Sequence, residues 1–219
     1  MEINQIVESL KKAREVAKKR NFTQSVDFSV VLKDVNLKNP EERIDDFLVL
    51  PNKVGKKVKV CALVDRELEV EAKKVFDHTI TKSEFSEYAG NKSKIRKLAK
   101  QYDFFVAQAT IMTDIAATFG KSFGPKGKMP NPKAGCILPP KPELLKPTYE
   151  KLQRTVAIRA KKQPVVNVIV GKEEMSDEDI AKNAMAVYDF VKRKLPRGDQ
   201  QIKKLVVKLT MGKPVVVGA

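Results

Sequence analysis

Two kinds of β-strand are written into this chain, and they need different surroundings. Residues 22–32 alternate: Val26, Phe28, Val30 and Leu32 face one way, and Thr23, Ser25, Asp27 and Ser29 the other. That period of two marks a strand with one buried and one wet face. Residues 58–64 and 104–107 are instead nearly continuous apolar runs, with helix-like stretches at 67–76 and 91–101. Apolar strands alternating with helices predict a parallel sheet covered on both faces.

The remaining segments extend this division. A helix is predicted over 3–20, short strands at 47–50 and 79–80, and a helix over 112–120. Residues 121–147 read as a long loop rich in Gly, Pro and Lys, followed by a helix over 148–160. A strand at 165–170, a helix over 176–195, a strand at 202–210 and a short strand at 215–217 complete the chain. Ser176 with Asp177, Glu178 and Asp179 opens the long helix, and Lys192, Arg193 and Lys194 close it, as capping and the helix dipole favour. The fold class is α/β together with α+β. Residues 1–64 plus 156–219 are expected to form a discontinuous α+β domain, with 65–155 inserted in it as an α/β domain.

The formal charge is +16, from 43 basic and 27 acidic residues. Such an excess attracts polyanions, nucleic acid before membrane. It is spread along the chain, +4 over 1–64, +6 over 65–155 and +6 over 156–219, as a broad footprint would require. Two cysteines far apart, Cys61 and Cys136, and one histidine, His78, supply no zinc-ligand spacing, so no metal is expected. The first residues do not form a signal sequence, and no apolar run reaches 18 residues, so the expected compartment is the cytoplasm.

Enzymatic readings find little support. Gly120-Lys121-Ser122 is not a P-loop, because Ile115 stands where that motif needs its first glycine. Asp65-Arg66-Glu67-Leu68 follows the 58–64 strand where a dinucleotide site needs a glycine-rich turn. No catalytic residue and no cofactor are expected. A nucleotide-dependent enzyme and a DNA-binding repressor are the alternatives, and each lacks its motif.

Two regions stand out as RNA-contact candidates. The run 116–142 holds Lys121, Lys126, Lys128, Lys133 and Lys141 and no acid. Glycine there permits close backbone approach, and lysine suits phosphate oxygens. The outer faces of 22–32 and 202–210 offer Ser25, Asp27, Lys204, Lys208 and Thr210, hydroxyls and cations suited to 2′-hydroxyl and phosphate groups. An ordinary solvated loop and an ordinary exposed strand face are the plainer readings. Phe22 falls on the Phe28 side by parity and is expected to close the core, unless it lies beyond the regular strand, where it would be free to stack on RNA.

Three segments resemble the ribosomal protein L1 family in its archaeal form. Gly124-Pro125-Lys126-Gly127-Lys128-Met129-Pro130-Asn131-Pro132-Lys133 is close to the family signature. Phe22-Thr23-Gln24-Ser25-Val26-Asp27 is similar to its Phe-x-x-Thr-x-Glu element, and Thr210-Met211-Gly212 to its Thr-Met-Gly element. Ser25 and Asp27 stand where bacterial members have Thr and Glu, Lys126 and Lys128 where Arg and Leu are common, and Lys213 separates Gly212 from Pro214. The resemblance implies two domains joined by two strands, the inserted one Rossmann-like and three-layered. It implies a protein that is monomeric when free and sits in the large ribosomal subunit, bound to ribosomal RNA of a mobile stalk. There it would help release exit-site tRNA, and it would repress translation by binding its own operon mRNA. Phe22, Ser25, Asp27, Thr210, Met211 and Gly212 would be its RNA contacts.

Overall fold

The computed structural model describes residues 2–39 and 42–218. In chain order it contains α1 (Ile3–Val16), β1 (Ser25–Leu32), β2 (Ile44–Val49), β3 (Val60–Val64), α2 (Arg66–Val75), β4 (His78–Thr81), α3 (Phe85–Tyr88), α4 (Lys92–Gln101) and β5 (Phe104–Gln108). Then follow α5 (Met112–Phe123), β6 (Ile137–Leu138), α6 (Leu145–Leu152), β7 (Thr155–Ala160), β8 (Val165–Lys172), α7 (Asp177–Lys194), β9 (Ile202–Leu209) and β10 (Val215–Val216). The architecture is mixed α/β in two compact units, a terminal one of residues 1–56 and 154–219 and a central one of residues 57–153.

In the terminal unit an antiparallel sheet runs in the order β10-β9-β1-β8, and β2 pairs with β7 beside it. Val26, Phe28, Val30 and Leu32 are all buried, as their alternation requires, against residues of α1, α7, β8 and β9. Each side chain of this size contributes about 1.5–3 kcal/mol by leaving water. The long helix α7 starts where Ser176 Oγ accepts the Asp179 N–H at 3.2 Å, and its last turn carries Lys192, Arg193 and Lys194.

In the central unit a parallel sheet runs β4-β3-β5-β6. Every residue of β3 is buried, so both faces of that strand are covered. Cys61, Leu63, Phe105 and Ala107 join one core with α3, α4 and α5. The alternate residues face the other way, where α2 packs with α6.

The structure departs from the sequence reading at three places. Val60–Val64 pairs with His78–Thr81 and Phe104–Ala107, so it belongs to the central unit rather than to the segment 1–64. A parallel strand takes its partners from beyond a crossover, which proximity in sequence does not reveal. Residues 155–160 are a strand, not the end of a helix: α6 stops at Leu152, and Val156 and Ile158 pair with Leu48 and Asp46. The 121–147 stretch is not one open loop, because α5 runs on to Phe123, a 3₁₀ turn forms at Pro132–Ala134 and β6 follows.

Candidate nucleic-acid interface

The motif segments 22–27 and 210–212 meet at one end of the terminal sheet. β1 begins at Ser25 and β9 ends at Leu209, and the chains on either side hold each other. The Thr210 N–H donates to the Ser25 carbonyl at 3.0 Å. Thr210 Oγ1 accepts the Ser25 N–H at 3.0 Å and donates to the Ser25 carbonyl at 3.2 Å. Thr210 thus extends the ladder by a side chain, and much of its hydroxyl's capacity is used on Ser25 backbone. The half-buried Ser25 Oγ makes no hydrogen bond among the described residues.

Phe22 precedes the strand and is 53% exposed, and Met211 is 60% exposed. Phe22 therefore does not close the core: the alternating burial that would cover it reaches back only to Gln24. Met211 is the third residue of a turn in which the Gly212 N–H donates to the Leu209 carbonyl at 2.8 Å. A Cβ on Gly212 would lie 3.2 Å from Leu209 Cβ, so close approach explains the glycine there.

Asp27 and Lys208 are cross-strand partners on the wet face. With Ser29, Asn167 and Ile169 they line a groove of about 320 Å³. Burial pushes the Asp27 carboxyl above the usual carboxylate range, and Lys208 pulls it part of the way back. Lys204 pairs with Val31, four residues along the strand from Lys208, so it lies away from the motif end. At about 3.4 Å per residue that separation exceeds 13 Å.

Behind this surface lies Gln24, which the sequence reading passed over. It is 1% exposed, and its Oε1 accepts the Met211 N–H at 3.1 Å. The Gln24 N–H donates to Glu173 Oε2 at 3.3 Å, and its carbonyl accepts the Glu173 N–H at 2.9 Å. Arg14 donates to the Glu173 and Met175 carbonyls at 2.6 and 3.0 Å and pairs with Asp177 at 2.9 Å. The even-numbered register shared with Val26 and Phe28 was the available signal that Gln24 points inward.

The signature residues 124–133 lie in the central unit, and several of them are structural. Lys128 Nζ donates to the Tyr102 carbonyl. Met129 packs on the core and Pro130 is buried. Asn131 Oδ1 accepts the Lys133 N–H at 2.9 Å. Gly127 has φ +62°, a conformation that side chains resist. Gly124, Pro125, Lys126, Pro132 and Lys133 are exposed, with Lys126 Nζ donating to the Arg96 carbonyl at 3.2 Å.

Among the described residues no group of His, Cys, Asp and Glu could hold a metal ion, and no helix is long and apolar enough to cross a membrane. Both thiols are buried, and burial pushes Cys136 up to about 11 and Cys61 higher still. A surface with an exposed aromatic, an exposed Met, an open hydroxyl and Lys208 suits contact with RNA.

The class is that of an RNA-binding protein of translation, not an enzyme. A family model described as the ribosomal protein L1p/L10e family matches residues 10–213. The large ribosomal subunit protein uL1 of Methanothermobacter thermautotrophicus is 44% identical over 213 residues, covering 97% of both chains. That of Pyrococcus abyssi is 45% identical over 212 residues, 97% of this chain and 94% of its own. That of Methanocaldococcus jannaschii is 41% identical over 217 residues, 99% and 96% of the two. The chain belongs to the ribosomal protein L1p/L10e family.

Proposed function

We propose that this protein binds ribosomal RNA of the large-subunit stalk through the sheet end of its terminal unit. On this reading the two units act as domains, a discontinuous RNA-binding one and an inserted Rossmann-like, three-layer one. The observation that carries the reading is the meeting of Phe22, Ser25, Thr210, Met211 and Gly212 at one sheet end, with Phe22 and Met211 both more than half exposed. Phe22 and Met211 pack on sugar or base, the Ser25 hydroxyl meets a 2′-hydroxyl, and Asp27 accepts from the RNA rather than attracting it. Lys208 supplies salt-dependent affinity. Lys204 adds only general charge.

On the same reading the protein works in the cytoplasm, monomeric when free and part of the large subunit when bound. There it assists release of exit-site tRNA, and it represses its own operon mRNA by offering the same surface. The test is retention of a stalk RNA fragment and of the mRNA leader by the protein and by Phe22→Ala/Met211→Ala. The reading expects both RNAs to be lost together. Loss of one with full retention of the other contradicts a shared surface.

A further inference from the structure

The charge of the central unit is polarised. Residues 89–142 carry ten Lys and Arg against Asp103 and Asp114, a net of +8 and half of the whole chain's +16. The rest of that unit, 57–88 and 143–153, carries eight basic and nine acidic residues. The division follows the sheet except at α3, which packs with α4 and α5 and carries Glu87. The helices α4 and α5 cover one face, while α2, with Glu67, Glu69 and Glu71, packs with α6 on the other.

Lys92, Arg96, Lys121 and Lys126 converge with Ser122 and Pro125 on a shallow depression of about 330 Å³ with no carboxylate in its lining. Lys92 is the first residue of α4, whose first turn holds no acid. A cation there opposes the helix dipole, so helix stability does not explain it. Among the described residues Lys92, Arg96 and Lys121 make no ion pair, whereas the nearby Lys94 pairs with Glu87 at 3.0 Å and Lys82 with Asp114 at 2.9 Å. Lys126 is held across the depression by the Arg96 carbonyl.

We infer that this α4–α5 face is a second RNA-contact surface, one that binds the phosphate backbone without reading sequence. Three of its four cations lie outside the motifs. Lys92, Arg96 and Lys121 are exposed and stand on two different helices. That arrangement suits an extended polyanion, which touches several cations at once, better than a single enclosed phosphate. Folded RNA supplies such a row of phosphates, and each neutralised phosphate releases counterions.

The experiment measures binding of a scrambled-sequence RNA hairpin to the full chain across a salt series. It compares Lys92→Gln/Arg96→Gln/Lys121→Gln with Lys73→Gln/Lys74→Gln/Lys146→Gln, which removes the same charge from the α2–α6 face. Far-UV circular dichroism and melting confirm that both fold. The α4–α5 variant should flatten the slope of log K against log salt by about two, at 0.7–0.9 per contact. The control should leave it within about half a contact of the parent. Equal slopes in the two variants, or a parent-like slope in the α4–α5 variant, overturn the inference. A scrambled hairpin does not call on Ser25 or Thr210, so failure here leaves the sheet-end reading untouched.

Discussion

The buried amide of Gln24 accepts the backbone N–H of Met211 at 3.1 Å, tying together two motif segments 187 residues apart. A net intramolecular hydrogen bond contributes about 0.5–1.5 kcal/mol, so Gln24→Ala should destabilise the terminal unit by at least that amount. Gln24→Glu keeps the acceptor but buries a charge beside Glu173, whose Oε2 already accepts the Gln24 N–H. Its deficit should therefore shrink as pH falls and the new carboxyl is protonated. Denaturant titrations at pH 7 and pH 5 check this. A Gln24→Ala protein as stable as the parent at pH 7 would show that the tether is not needed.

Thr210 tests how the two strand ends are joined. Thr210→Val keeps the shape and the backbone bond and removes the two hydroxyl bonds to Ser25, at a cost of about 0.5–1.5 kcal/mol. Thr210→Ser keeps them. Preference for stalk RNA over scrambled RNA should fall in the valine variant and survive in the serine one. Equal losses on matched and scrambled RNA would contradict a role in recognition.

Phe22 separates binding from folding. Being 53% exposed, it should tolerate Phe22→Ala with a stability change within about 0.5 kcal/mol. Affinity for the stalk fragment should drop at least tenfold, or about 1.4 kcal/mol. A melting temperature that falls while affinity holds would return Phe22 to the core.

Much of this was legible in the residues. The alternation of 22–32 located β1 and its buried face, and the charges at either end of 176–195 located α7. Other features depended on partners remote in sequence. Thr155–Ala160 is a strand because β2 pairs with it, and helical spacing in the stretch could not reveal that. Val60–Val64 joined the central unit through strands further along the chain. Parity alone turned Phe22 inward, because it carries no mark of where a strand begins. Gln24 looked like any polar residue until the fold placed Met211 against it.

Asp77 supplies a prediction about acid. Burial acts to raise its carboxyl, but the Val60 N–H at 3.0 Å, the Lys57 ammonium at 2.9 Å and the Tyr149 hydroxyl at 3.3 Å outweigh that and hold it below the usual range. The stability it contributes is complete above the ordinary carboxylate pKa and is lost as pH falls through the lowered native value. Asp77→Asn should lower the stability of the central unit at pH 7 and make its acid limb shallower. Parallel acid limbs in the two proteins would contradict the assignment.

The most direct test of sheet-end recognition is a salt titration of the parent protein against a stalk RNA fragment and a scrambled RNA of equal length. Sequence-independent phosphate contacts weaken for both as salt rises. The account predicts a preference for the stalk fragment that persists at physiological salt and collapses in Phe22→Ala/Met211→Ala. Equal affinity for the two RNAs, vanishing together as salt rises, would contradict it.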